Sequence, residues 1–291
     1  MKMQQPVILV TGSNGQLGKE LQELAGSFPD FRFVFTSRED MGIHHYGLVE
    51  NFFIATKPDY CINCAAYTAV DKAESEKEAA YLMNGEAVGH LALICARYGT
   101  KLIHVSTDYV FDGTSEIPYR EDAPVSPVNV YGASKLLGEE LCQKSDPSAI
   151  IIRTSWVYSS FGHNFVKTMK RLMQERNEIN VVSDQIGTPT YASDLAKAIL
   201  DIIASSQWIP GIYHYSNEGK ISWFDFAIAV KEFLGSHCVV HPIPTSAFPT
   251  PAKRPSFSLL DKSKIKQTYH IQIPDWKESL SRCMALIKDK E

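Results

Sequence analysis

The chain has 291 residues, 44% apolar and 21% charged, enough for one large domain with a second lobe or for two modest domains. Its formal net charge is −4 and it carries no long basic run, so nucleic acid is not an expected partner. No 18-residue apolar stretch and no signal-peptide pattern occur, so the reading is a cytoplasmic protein without a membrane span.

The first strand-like run, "PVILVT" (6–11), leads into "TGSNGQLG", with Gly12, Gly15 and Gly18 spaced G-x-x-G-x-x-G. Glycines let the chain turn tightly, let backbone N–H groups approach a pyrophosphate, and let the next helix pack closely. That helix-like stretch (16–27) starts at Gln16 and Leu17, and its N-terminal end would face the phosphates. A glycine repeat alone says little; its place between a first strand and a helix is the context a dinucleotide site requires.

The second run, "FRFVFT" (31–36), ends in Thr36-Ser37-Arg38-Glu39-Asp40. An acid at this position binds the ribose of NAD, and an arginine suits a 2′-phosphate. Ser37 and Arg38 fit a phosphate, while Glu39 and Asp40 keep NAD(H) in play; NADP(H) is favoured. Helix-like stretches follow at 46–57 and 72–98, around a third strand, "DYCINC" (59–64). Cys61 and Cys64 on that strand point to opposite faces, too far apart for a disulfide, and no second CxxC completes a zinc site. They read as buried thiols. His44 and His45 read as loop residues, and no metal site is expected.

A fourth strand, "KLIHVS" (101–106), runs into "TDYVFDG". The next helix-like stretch (130–145) places Tyr131 and Lys135 four residues apart, on one helical face. Free tyrosine has a pKa near 10, and a nearby ammonium would lower it toward the range of a useful general acid. A ketone receiving hydride needs a proton donor at its oxygen. The spacing gains weight from following a glycine loop and the end of the fourth strand, where ligands bind in such sheets. Tyr109 has Gly113 four residues on, not a lysine, and strand alternation turns it away from Asp108. The acid is therefore assigned to Tyr131.

A fifth strand (149–155) completes a doubly wound, parallel Rossmann-type α/β sheet. Beyond 156 the pattern mixes helix-like stretches (163–176, 192–206, 222–235, 275–288) with short strands (179–184, 211–216), and proline is dense over 242–255. The expected division is a dinucleotide-binding domain over 1–155, with 185–205 and 240–260 returning to it, and a smaller, mainly substrate-binding lobe over 156–291.

"CAAYTAVDKAE" (64–74), "STDYVFDG" (106–113), "SPVNVYGASKLLGE" (126–139), "RTSWVY" (153–158), "NFVKTM" (164–169), "DQIGTPT" (184–190) and "PTPAKRPSFSLL" (249–260) together resemble the dTDP-4-dehydrorhamnose reductase family of the extended short-chain dehydrogenase/reductase superfamily. The resemblance spans nearly the whole chain. It implies reduction of the 4-keto group of dTDP-4-dehydro-6-deoxy-L-mannose to dTDP-L-rhamnose, with a nicotinamide cofactor as hydride source. It makes Tyr131 the proton donor, Lys135 the holder of the nicotinamide ribose, and Thr107 a partner of the ketone. Thr107, Asp108 and Trp156 would touch the sugar. Gly15, Gln16 and Leu17 would meet the pyrophosphate, and Ala66, Tyr67 and Thr68 would flank the adenosine. Val70, Asn164 and Arg254 would contact the substrate, Arg254 at its diphosphate.

The chain departs from the family pattern at Thr36, where many relatives have Asp, and at Gly42-Ile43-His44, where many have an acidic "DIT"-like stretch. Both bear on the choice between NADH and NADPH. Without the resemblance, Asp71 to Glu74 read as a helix start with solvated charges, Trp156 as core filling, Arg254 as a surface cation and "DQIGTPT" as a shaped loop. A reductase or epimerase of another nucleotide sugar, and a non-catalytic NADP-binding subunit, remain alternatives. Some relatives form dimers, so a homodimer stays open.

Overall fold

A computed structural model of the chain describes residues 5–205 and 207–288. Ser206, the last residue of the helix expected over 192–206, lies outside them. The glycine-loop half reads β1 (Val7–Thr11), α1 (Gln16–Ala25), β2 (Arg32–Thr36), α2 (Arg38–Met41), α3 (Tyr46–Thr56), β3 (Tyr60–Asn63), α4 (Val70–Ala73) and α5 (Lys77–Tyr81). A π-turn (Leu82–Glu86) then joins α5 to α6 (Ala87–Tyr98). After β4 (Lys101–Thr107) and a 3₁₀ turn (Asp108–Val110) come α7 (Val130–Ser145), β5 (Ile150–Thr154) and β6 (Val157–Tyr158).

The remainder holds α8 (Phe165–Glu175), β7 (Glu178–Val182), β8 (Ile186–Gly187), β9 (Thr190–Tyr191), α9 (Ala192–Ala204) and β10 (Gly211–Tyr215). It ends with β11 (Ile221–Ser222), α10 (Trp223–Leu234), β12 (Val239–Ile243), α11 (Ser263–Tyr269) and α12 (Trp276–Lys288).

Six strands form one parallel sheet in the order β10-β5-β4-β3-β1-β2. Strands covered on both faces need no polar alternation, and β1 and β5 are buried at every residue. One face packs Ile8, Ile62, Ile103 and Ile150 under α1 and α9; the other packs Leu9, Cys61, Leu102 and Ile151 under α3 and α6. Strand order reverses between β1 and β3, so the crevice outside their carboxyl ends is where ligands bind in such sheets.

Cys61 and Cys64 pack against opposite faces and all six cysteines are free. The helix expected over 72–98 is interrupted: α4 stops at Ala73, and a continuous run resumes at Lys77 with the π-turn inside it.

The chain moves between two bodies more often than a boundary at 155/156 describes. β10 pairs with β5 in the main sheet, and α9 and α11 pack on that sheet through Leu195, Ile199, Ile265 and Tyr269. A second apolar cluster joins α8, α10, α12 and the parallel β7–β12 pair through Met169, Ile179, Phe226, Val240 and Leu280. Thus 240–243 sits in the second body, while Phe257, Leu259 and Leu260 pack beside Val110, Phe111 and Tyr119 after the fourth strand. No helix among the described residues is long and apolar enough to cross a membrane.

Candidate active site

The glycine loop is shaped by contacts that no side chain could share. Gly12 has φ +64°, and a Cβ there would sit 2.7 Å from the Ala65 nitrogen. A Cβ on Gly18 would sit 2.6 Å from the Gly12 oxygen. The loop is thus pressed against the end of β3 and folded over the start of α1. Gly15, the N-cap, supplies no side-chain acceptor, and the first turn holds no acid. The first N–H groups of α1, from Gln16 and Leu17 on, are left for an anion. This arrangement fits a dinucleotide pyrophosphate.

At the end of β2, the Thr36 hydroxyl is buried and donates to the Val10 carbonyl. No acid stands there to take the ribose. Ser37 is occupied as a cap: its hydroxyl accepts from the Glu39 and Asp40 nitrogens, and Asp40 accepts from the Ser37 nitrogen. Arg38 is exposed and has no ion pair among the described residues, so its guanidinium is available to a phosphate. The ring of His44 folds over Gly42, where a Cβ would meet it at 2.9 Å. A side chain at 42 would require that ring to move aside.

Ala66, Tyr67 and Thr68 lie on the loop after β3, and Asn84 holds that loop from the π-turn. The Asn84 amide accepts from the Tyr67 nitrogen at 2.8 Å and donates to the Tyr67 carbonyl and the Ser134 hydroxyl, both at 3.0 Å. Asn84 therefore ties the loop after β3 to α7. Sequence reading missed it, because its partners lie 17 and 50 residues away.

At the end of β4, Thr107 and Asp108 are both buried. The Thr107 hydroxyl donates to one Asp108 oxygen at 3.0 Å, and the other oxygen is buried without a hydrogen bond. Burial pushes the Asp108 carboxyl up to about 7, against the pull of the Ser258 and Thr107 hydroxyls. β4 ends at Thr107 and the chain enters the 3₁₀ turn, so strand alternation does not govern Tyr109. Its ring instead meets that of Tyr131 edge-on, with centroids 5.8 Å apart.

Three contacts fix the start of α7. Asn129 caps the Gly132 nitrogen at 2.7 Å, Glu74 accepts from the Val130 nitrogen at 2.9 Å, and Asn129 also donates to the Lys253 carbonyl. Tyr131 lies one turn before Lys135 on this helix. Burial of the Tyr131 hydroxyl pushes it up to about 12; the Thr107 hydroxyl opposes this and the Asp108 carboxyl adds to it. Lys135 does not contribute the lowering expected of it; the lysine is itself buried, and burial brings it down to about 8. Its Nζ donates to the Val105 carbonyl at 2.7 Å.

The remaining expected contact residues are held by partners of their own. Trp156 holds φ +45°, a conformation costly for a bulky residue and concentrated at functional sites. It stacks on Trp223 with centroids 3.7 Å apart, and Gly187 gives it room, since a Cβ there would sit 2.9 Å from the indole. Val70 opens α4 and is half-buried. Arg254 is not a free surface cation: it pairs with Asp71 at 2.8 and 3.1 Å, and Asp71 also accepts from the Ala252 nitrogen. Asp71 and Glu74, read from the sequence as solvated, hold the 250–255 loop and α7. Asn164 caps α8 and donates to Gln16 at 2.9 Å, joining the first residue of α1 to the second body. No group of three or more His, Cys, Asp or Glu among the described residues is placed to hold a metal ion.

The RmlD substrate binding domain model matches residues 6–288. A dTDP-4-dehydrorhamnose reductase of Burkholderia thailandensis is 40% identical, over 95% of this chain and 97% of its own length. The crystal structure of a dTDP-4-dehydrorhamnose reductase from Clostridium acetobutylicum has a TM-score of 0.93 at 40% identity, covering 97% of this chain and 99% of that one. That of the Bacillus anthracis enzyme, in complex with NADP, has a TM-score of 0.93 at 38% identity and the same coverage. The chain belongs to the RmlD substrate binding domain family, that of the dTDP-4-dehydrorhamnose reductases.

Proposed function

We propose that the protein is an NAD(P)H-dependent reductase of the 4-keto group of dTDP-4-dehydro-6-deoxy-L-mannose, with Tyr131 as proton donor, and that NADPH is its preferred cofactor. The observation that carries the reading is Tyr131 on α7 beside the buried Thr107–Asp108 corner, behind a glycine loop fitted to a pyrophosphate. The match to named reductases over nearly the whole chain supplies the substrate class.

A bound nicotinamide cofactor would supply the hydride that reduces the ketone carbon. The chain's own residues do the rest. α1 and the glycine loop hold the pyrophosphate. Thr107 would turn its hydroxyl from Asp108 to the ketone oxygen, and Tyr131 would give that oxygen its proton as charge develops there. Asp108, its carboxyl half protonated near neutrality, can donate to or accept from a sugar hydroxyl. Lys135 takes the nicotinamide ribose. Trp156, braced by Trp223, forms an apolar wall for the sugar ring. Arg254, already paired with Asp71, would share its charge with the diphosphate. The free Arg38 and the absence of an acid at 36 favour a 2′-phosphate.

Absorbance at the reduced-nicotinamide band tests this with both cofactors and with dTDP- and UDP-linked 4-keto sugars. NADPH should be consumed only with the dTDP sugar. Tyr131→Phe should lose about 10²–10⁴-fold in kcat while NADPH binding persists. Full activity in that variant, or no turnover on any keto sugar, sinks the reading.

A further inference from the structure

Beneath Lys135 lies a row of buried side chains that the reaction above does not use. Thr11, Asn63 and His104 stand in register on β1, β3 and β4. All three are essentially without solvent exposure. The Thr11 hydroxyl donates to the Asn63 side-chain oxygen at 2.6 Å. The Ala65 nitrogen meets the same oxygen at 3.3 Å. A peptide N–H can only donate, so that Asn63 atom is the oxygen and its NH₂ is the group turned to His104. The Asn63 nitrogen lies 3.0 Å from His104 Nδ1, which must therefore accept. A neutral His104 then carries its proton on Nε2, 3.5 Å from Lys135 Nζ. Burial and the neighbouring lysine hold His104 well below its ordinary pKa, so it stays neutral.

We propose that His104 is a positioning residue for Lys135, locked by Asn63 and Thr11 as the Nε2–H tautomer so that an N–H edge, not a lone pair, faces the lysine. The inference rests on the assignment of Tyr131 and Lys135 proposed above. The opposite tautomer would accept a hydrogen bond from the ammonium and stabilise it. The inferred one sets donor against donor. It disfavours the third proton on Nζ and leaves the remaining donors for the Val105 carbonyl and the cofactor ribose. The other titratable groups facing Nζ are Glu139 and Cys142 on its own helix and Cys64 beyond β3, and these favour the ammonium. Glu139 is engaged twice by Arg153 and once by Ser106, which spreads its charge away from Lys135. His104 is thus a neighbour that can tip Lys135 toward proton exchange near neutral pH.

Two measurements test this. Nitrogen-15 NMR of the cofactor-free wild-type protein reads the tautomer directly. His214, whose Nδ1 faces the Tyr119 carbonyl at 3.1 Å, serves as reference for the opposite form. An Nε2–H His104 is expected, and an Nδ1–H His104 overturns the proposal whatever the enzyme's activity. The pH profile of kcat/KM for keto-sugar reduction is the second readout. His104→Asn keeps an acceptor for Asn63 and removes the N–H facing Lys135; its basic limb should move up by about one pH unit. His104→Gln returns an N–H to that edge, and its limb should return toward the wild-type position. If both variants lose rate with the limb unmoved, or move it together, His104 merely fills space. A protein with no keto-sugar activity refutes the proposed function, and the tautomer measurement still decides His104.

Discussion

A carboxyl group denied water holds its proton to higher pH, and Asp108 is in that position. Burial raises its pKa from 3.8 to about 7 in the folded chain. The folded state therefore binds a proton more tightly than the unfolded state, and this group's contribution to stability falls as pH rises from about 4 to about 7. Asp108→Asn, which is uncharged at every pH, should raise Tm at pH 8 by about 2–6 °C and by clearly less at pH 5. A thermal melt at the two values decides, and an equal change at both would show that Asp108 ionises freely. Placements that depend on near neighbours were legible in the sequence: the helical spacing of Tyr131 and Lys135, the glycines between strand and helix. The Arg254–Asp71 pair, 183 residues apart, was not. Neither residue type, taken alone, names its partner.

Among the elements, α7 has least freedom to move. A Cβ on Gly138 would lie 2.0 Å from the Asn84 oxygen, and one on Gly132 would lie 2.1 Å from the Tyr109 oxygen. In each case the obstacle is backbone, which cannot swing aside. Gly138→Ala should therefore destabilise the protein by about 1–3 kcal/mol or more in urea unfolding. Gly132→Ala should also displace the turn carrying Asp108 and Tyr109, so its kcat should fall further than its stability does. Beneath the same helix, Glu139 and Arg153 form an ion pair at 2.7 Å with both side chains almost fully buried. Arg153→Met would leave Glu139 uncompensated and cost about 3–5 kcal/mol. Five strands and the outlines of the long helices follow from apolar runs and period. The π-turn does not, because its cause is Asn84 bonding across to Tyr67 and Ser134, a reward invisible in local periodicity.

At the scale of the whole molecule, the two bodies meet at the cofactor end. Gln16 at the start of α1 accepts from Asn164 at the start of α8, and Glu20 pairs with the buried Ser159 hydroxyl. Anything that steadies the start of α1 should steady α8 as well. Hydrogen exchange should show NADPH slowing amides at the start of α8 along with those of the glycine loop. Asn164→Ala, which also removes a helix cap worth about 1 kcal/mol, should confine the protection to the first body. Protection unchanged in the variant would remove the seam from this role.

The place of β10 has a consequence for how the chain is made. Ile150, Ile151 and Ile152 of β5 emerge from the ribosome well before Gly211–Tyr215, the strand that closes their outer edge. At ordinary rates of synthesis that edge stays bare for roughly 3–12 s. During that time the nascent chain offers an unpaired, isoleucine-rich strand to any neighbour, the kind of template on which chains associate. The last parallel strand of the sheet is thus a stopper that arrives late, and slowing translation ahead of it should lower the soluble yield of a protein whose finished fold is unchanged.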